Sequence, residues 1–174
     1  NFHPGSGVGV QSDEDTMVLI AEGIRLALAE TAKVTAVIEN TAGQGNVVGR
    51  SFAQIARLIE LVDRPERTGV CIDTCHAYAA GYDWLAPDGY DRIFAEFEQK
   101  VGFRFLRGMH LNDSKGKLDS HLDRHDSLGK GFLGRDLFAR LMRDPRLDGI
   151  PLILETPDES LWPAEIAWLQ SQVG

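Results

Sequence analysis

Gly69-Val-Cys-Ile-Asp73 is a short apolar run that stops on a carboxylate, and four other runs in the chain end comparably. They are Asn1-Phe2-His3, Val34 to Glu39, Phe105 to His110 and Pro151 to Glu155, each closing on a side chain able to bind a metal. A sixth cluster, Asp123-Arg124-His125, follows the fourth run on a polar stretch. Short, continuous, β-branched apolar runs are the pattern of strands buried on both faces of a parallel sheet. Parallel strands that present carboxylates and imidazoles at one common end produce a shared metal site.

Working outward from these runs, the intervening segments read as helices. Ser12-Asp-Glu-Asp15 has the acidic first turn of a helix N-terminus, and Met17, Ile20, Ile24 and Leu28 follow at helical spacing. Ser51-Phe-Ala-Gln54 is a capping box ahead of Ile55, Leu58, Ile59 and Val62. Ile93, Phe94, Phe97 and Val101 mark a third helix, and Leu137, Phe138 and Leu141 a short fourth after a polar loop from Asn112 to about Gly134. Ser160 is placed to cap a last helix carrying Ile166 and Leu169. Strand and helix alternate without hairpin signals, which implies right-handed βαβ units and a parallel sheet. Functional groups at the C-terminal strand ends point to an α/β fold of the (βα)₈ TIM-barrel kind. Five units are visible, so the expectation is either an open doubly wound sheet or a barrel whose first three units precede residue 1. The start without Met, on what reads as a strand end, favours the second, with residues 1–174 as one domain.

The 174 residues suffice for one core, and 43% hydrophobic with 25% charged residues is a globular composition. No apolar stretch approaches the ~20 residues that span a bilayer, and no signal peptide is evident, so no membrane partner and a cytoplasmic location are expected. Cys71 and Cys75 are too few for a disulfide framework; they read as small buried packing residues in a reducing compartment. The net charge of −8 argues superficially against nucleic acid, but three bound divalent cations would bring it to about −2. Arg104, Arg107, Lys115, Lys117, Arg124, Lys130 and Arg135 also gather near the candidate site.

Each ligand taken alone has an ordinary explanation. Glu39 could be a salt-bridged structural carboxylate, Asp73 and His76 a loop pair as the strand turns away, and His110 a structural strand-end histidine. Asp123 and His125 can share one side of extended backbone. Glu155 and His3 complete the set at the two ends of the chain. Independent ordinary explanations would not put all of these groups at equivalent strand ends. Mixed imidazole and carboxylate ligands suit zinc, or manganese where carboxylates dominate. His121 fits no position and reads as a surface residue. The loops Asn40-Thr-Ala-Gly-Gln-Gly45 and Ser127-Leu-Gly-Lys-Gly131 offer small residues and backbone N–H groups suited to a phosphate, or are simple turns.

Taken together, His3-Pro-Gly5, Val37-Ile-Glu39-Asn-Thr-Ala-Gly-Gln-Gly45, Cys71-Ile-Asp73-Thr-Cys-His76, Met109-His110-Leu-Asn-Asp113, Asp123-Arg-His125 and Leu154-Glu155-Thr-Pro157 resemble the endonuclease IV family of zinc-dependent apurinic/apyrimidinic endonucleases. The resemblance runs over essentially the whole chain. It implies a TIM barrel with three zinc ions at its C-terminal face, Glu39 bridging two of them. One of these two would also take His3 and a second histidine, and the other Asp73, His110 and Glu155. The third zinc would take His76, Asp123 and His125. Glu39 and Glu155 are assigned catalytic as well as ligating roles, and Gln44, Arg124 and Lys130 are the expected substrate contacts. The family's other histidine for the first zinc comes from an earlier strand, and this sequence lacks it together with the early DNA-gripping loops.

The resemblance further implies a monomeric DNA-repair hydrolase of the bacterial cytoplasm acting on double-stranded DNA. It would cleave 5′ to abasic sites, leave a 3′-hydroxyl and a 5′-deoxyribose phosphate, and remove 3′-blocking groups by a trinuclear zinc mechanism. The rival is a xylose isomerase-like sugar isomerase or epimerase, since Glu39, Asp73, His110 and Glu155 match its metal set equally well. A third reading is a non-catalytic, metal-stabilised DNA-binding protein. The cluster of His76, Asp123 and His125 discriminates, because an isomerase has no evident use for it. The isolated chain, with unpaired sheet edges, is expected to be poorly soluble or inactive.

Overall fold

The computed structural model describes residues 1–9 and 12–173. Its central feature is a parallel sheet of β1 (Ala36–Glu39), β2 (Thr68–Asp73), β3 (Leu106–His110) and β6 (Leu152–Ile153), in the order β1-β2-β3-β6. A parallel bridge between Phe2 and Ile38 lays the N-terminal segment along the outer side of β1. Spatial order therefore follows chain order from Asn1 to Ile153. A doubly wound sheet reverses its order at a switch point. This one does not, so the winding is that of a barrel.

Among the described residues six α-helices alternate with or follow the strands: α1 (Asp13–Ala29), α2 (Phe52–Val62), α3 (Thr74–Ala79), α4 (Gly89–Lys100), α5 (Gly134–Leu141) and α6 (Trp162–Gln170). A small antiparallel hairpin, β4 (Asp113–Ser114) with β5 (His125–Asp126), rises from the loop after β3. In α1 the Ser12 hydroxyl accepts from the Asp15 N–H, and the buried stripe is Met17, Ala21, Ile24 and Leu28. Ile20, expected in that stripe, is only partly buried. In α2 Ser51 accepts from the Gln54 N–H, but the Gln54 side chain reaches back past the cap to the N–H groups of Gly49 and Arg50. The reciprocal half of the capping box is thus spent on the incoming loop.

Three expectations at the C-terminal end need correction. Ser160 does not cap α6; it lies in a 3₁₀ turn, Glu159–Leu161, where Asp158 accepts from the Ser160 N–H. Ile166 is exposed, leaving Leu169 as the buried apolar residue of that helix. β6 is also shorter than the run Pro151–Glu155, because the strand leaves the ladder after Ile153.

All six residues of β2 are buried, as a strand with neighbours on both edges and both faces requires. The core beside it is strongly aromatic. Phe97 packs edge-to-face on Phe52 at 5.2 Å and on Phe103 at 5.4 Å, and Phe94 on Trp84 at 5.7 Å. The turn into α4 is equally tight: a Cβ at Gly89 would overlap the Asp83 carbonyl oxygen. Among the described residues no helix is long and apolar enough to cross a membrane.

Phe97 is fully buried in this layer and joins α4 to α2. Phe97→Ala is expected to destabilise the chain by about 3–5 kcal/mol, read as a lower urea midpoint with unchanged slope.

Candidate metal centre

Strand register brings the candidate ligands to one edge. Glu39 pairs with Cys71, Asp73 with His110, and His110 with Ile153. The Glu39 N–H donates to the Phe2 carbonyl at 3.0 Å, which holds His3 beside the end of β1. The C-terminal ends of the N-terminal segment, β1, β2, β3 and β6 thus deliver His3, Glu39, Asp73, His110 and Glu155 to a single place.

Glu39 is the hub. Its Oε1 lies 3.3 Å from His3 Nε2, 3.3 Å from His76 Nδ1 and 3.1 Å from His110 Nδ1. Oε2 accepts from the Asn1 side-chain amide at 2.6 Å. His110 Nδ1 is also 3.0 Å from Glu155 Oε2 and 3.8 Å from Asp73 Oδ2. Glu39, Asp73, His110 and Glu155 therefore form one group whose ligand atoms all lie within 4.8 Å of one another.

The second part of the site is built by α3, where the sequence alone suggests a loop. Asp73 ends β2 and caps α3 at once, its Oδ1 accepting from the His76 N–H at 2.8 Å. This folds His76 back over the strand end. His76 Nε2 lies 3.1 Å from Asp123 Oδ1 and 3.2 Å from His125 Nε2, while His125 Nε2 is 3.6 Å from both Asp73 Oδ2 and Asp123 Oδ1. Two further groups result: Asp73 with His76 and His125, and His3 with Glu39 and His76. Asp73 thus joins the cluster expected for His76, Asp123 and His125. His76 stands beside Glu39 and His3, where the resemblance implied a histidine from an earlier strand.

Two asparagines that sequence reasoning does not single out hold this arrangement. Asn40 spans from β1 to β2, its Oδ1 accepting from the Asp73 N–H at 2.6 Å and its Nδ2 donating to the Asp73 carbonyl at 3.3 Å. Asn112 donates to Asp73 Oδ2 at 2.6 Å and accepts from the Glu155 N–H at 2.9 Å. Glu155 is thereby placed by a side chain after β6 has left the sheet. Thr74 secures Asn112 by donating to its carbonyl at 2.7 Å. In the sequence, Asn1, Asn40 and Asn112 are legible only as polar residues within two positions of a ligand.

Electrostatics follow from packing acids among imidazoles. Burial alone would raise Glu39, but hydrogen bonds from His110, His3 and His76 hold it well below the usual carboxylate range. Burial would lower His76, yet Asp73, then Asp123 and Glu39, push it up to about 12. His110 is likewise opposed by burial and raised to about 10 by Cys71 and Glu39. The Glu39 contact raises His3, and the His76 hydrogen bond lowers Asp123. Such a donor set attracts positive charge, and its imidazole nitrogens and carboxylate oxygens converge as first-row divalent metals require. The residues fit zinc.

The remaining expectations divide. Both cysteines are buried and unlinked, with burial pushing both thiols up, Cys75 to about 11. His121 is exposed as expected, but its Nδ1 lies 3.1 Å from the Ala42 carbonyl, tying the loop after β1 to the connection between β4 and β5. Arg124 is exposed and donates to the Asp123 carbonyl, and Lys130 is exposed on its loop. Gln44 Oε1 is buried with no partner among the described residues. The loop Ser127–Gly131 is not an open phosphate cradle. The Gly129 N–H donates inward to Asp113, that of Leu128 to Glu165, and that of Lys130 to the Ser127 carbonyl.

Residues 1–172 match the xylose isomerase-like TIM barrel family, and the chain belongs to it. Among solved structures, it is similar to endonuclease IV from Thermus thermophilus, with 38% identity and a TM-score of 0.77 over 97% of this chain. The match covers 60% of the Thermus chain, so the present chain spans about three fifths of that protein's length. A structure described as AsfvAP:AG shares the fold at 19% identity and a TM-score of 0.67, over 87% of this chain and 58% of that one.

The site makes two outcomes testable. Asn112→Ala should weaken divalent-metal binding about 10–100-fold by titration calorimetry, because it frees Asp73 and Glu155 together. In the metal-free chain, the raised His110 and His76 contribute stability that is complete below pH 6.5. That stability is lost as pH rises through about 10 and about 12. A metal displaces the same protons, so zinc affinity should rise with pH and its binding heat should depend on buffer ionisation. A pH-independent affinity would contradict the assignment of these two ligands.

Proposed function

We propose that the chain carries the catalytic centre of a zinc-dependent endonuclease that hydrolyses the phosphodiester 5′ to abasic sites in double-stranded DNA and removes 3′-blocking groups. The observation that carries this reading is the second cluster, His76 with Asp123, His125 and Asp73, fused to the group of Glu39, Asp73, His110 and Glu155. A single-metal site needs only the latter. Similarity to a bacterial endonuclease IV supports the same reading.

In this proposal His3 and Glu39 would hold one zinc ion, Glu39, Asp73, His110 and Glu155 a second, and His76, Asp123 and His125 a third. When bound, zinc would supply Lewis acidity toward the phosphate and offset charge on the leaving oxygen. The chain's own residues do the rest. Glu39, buried and gripped from both sides, fixes the spacing between neighbouring sites. Glu155 is the most exposed of the four carboxylates, at 46% of its side chain, and in this reading it takes a proton from attacking water. Water oxygen bonds to phosphorus, the bond to the 3′-oxygen breaks, and that oxygen gains a proton. The products are a 3′-hydroxyl and a 5′-deoxyribose phosphate. Exposed Arg124 and Lys130, with Gln44, contact the DNA backbone.

One observation favours a second reading, an isomerase or epimerase of sugars: the four-residue group and the family are shared with xylose isomerase-like barrels. Metal analysis and incision of an abasic-site duplex, made on the full-length protein before and after chelation, separate the two. The expected result is chelator-sensitive nicking, reduced at least about 10²-fold in Glu155→Gln at retained metal content. Sugar turnover with a single bound metal and no nicking would hand the case to the second reading.

A further inference from the structure

Asp113 is a carboxylate with no exposed surface and no cationic hydrogen-bond partner among the described residues. Its partners are backbone N–H groups. Oδ1 accepts from Ser114 and from Leu133, both at 2.8 Å; Oδ2 accepts from Gly129 at 2.9 Å and Gly134 at 3.2 Å. The chain wraps closely enough that a Cβ at Gly131 would lie 2.5 Å from Asp113 Oδ1 and closer still to the Ser114 carbonyl. Successive N–H groups turned onto one anion form a nest, the arrangement that loops use for phosphate. Here the anion is internal.

The position of this nest gives it a consequence for the site. Asp113 and Ser114 are β4, whose partner β5 begins with His125, with Ser114 opposite His125 and Asp113 opposite Asp126. The Lys115 N–H donates to the Arg124 carbonyl and the Phe132 N–H to the Ser114 carbonyl. The segment gripped by Asp113 follows closely on His125 and carries Lys130. His125 thus lies between its ladder with β4 and the segment that the nest grips, and its Nδ1 is 3.1 Å from the Glu155 carbonyl. The nest adds to the other holds on this short hairpin, that Glu155 contact, the Leu128 N–H on Glu165 and the His121 N–H on the Ala79 carbonyl, in keeping Asp123 and His125 within 3.1–3.2 Å of His76.

We propose that Asp113 is a positioning residue. As an internal anion it fills the nest of residues 129–134 and locks Asp123 and His125 onto His76. The inference rests on reading that cluster as a metal site. Asp113→Asn keeps the size but offers one acceptor oxygen and turns an NH₂ toward N–H groups. Gly131→Ala keeps the carboxylate and pushes the loop off it, so the contact is tested by two routes even where Asp113→Ala does not fold.

The experiment is cobalt(II) and zinc titration of wild type, Asp113→Asn and Gly131→Ala, with hydrogen exchange on the same proteins. Expected are faster exchange confined to 129–134 and a roughly 10–100-fold loss of affinity at one metal equivalent, with its cobalt absorption altered. The equivalent at Glu39, Asp73, His110 and Glu155 should be unchanged. Unchanged exchange at 129–134 would remove the clamp. Local loosening with every metal bound as in wild type, or uniform loss of all metals and of stability together, would reduce Asp113 to a fold residue. A wild type that binds no metal would instead sink the metal reading, while exchange at 129–134 still reports on the nest.

Discussion

One buried carboxylate surrounded by three imidazoles sets the terms for the rest of the structure. Glu39 is desolvated at the end of an apolar strand, where an unpaired charge would be prohibitive. Its hydrogen-bonding neighbours come from the N-terminal segment, from α3 and from β3, so the charge is tolerated only when all three elements are in register. Placement of Asp73 and His110 follows from the same ladder. The sheet is thus committed to one alignment by its chemistry as well as by its apolar core.

Around this centre the structure spends amides and backbone dipoles rather than salt bridges. Asn40 and Asn112 grip Asp73 from neighbouring strand ends, and Asn112 also anchors Glu155 where β6 has left the ladder. Asp113 applies the same device to the hairpin behind His125, with main-chain N–H groups in place of a side-chain amide. Neutral donors hold a carboxylate's orientation without cancelling its charge, which leaves that charge available to a cation. An arginine in the same position would compete with any bound cation.

The parallel strands and the ligand types are legible because each is a local pattern. A β-branched apolar run that stops on a charge is read directly from Val37-Ile-Glu39 or from Cys71-Ile-Asp73. Less is visible where partners are distant in the chain. Asp73 both ends a strand and caps a six-residue helix, which no spacing at residues 73–76 distinguishes from a loop. The glycines of Ser127–Gly131 look suited to an external phosphate, since composition does not say that the carboxylate of Asp113 already fills the curve. Ser160 looks like a cap, yet Asp158 takes the role by starting a 3₁₀ turn first.

By itself the sequence determined the alternation of strand and helix, the identity of the candidate metal-binding side chains and the end of the sheet at which they emerge. These depend on hydrophobic period and on residue chemistry, both carried by neighbours in the chain. Tertiary structure alone decided the sequential strand order, the sharing of His76 between Glu39 and the Asp123–His125 pair, and the occupation of the Gly129–Gly134 nest by Asp113. Each of those is a distance between groups well separated in the chain. Such distances are set by strand register and by the satisfaction of buried polar atoms, which exist only once the sheet has formed.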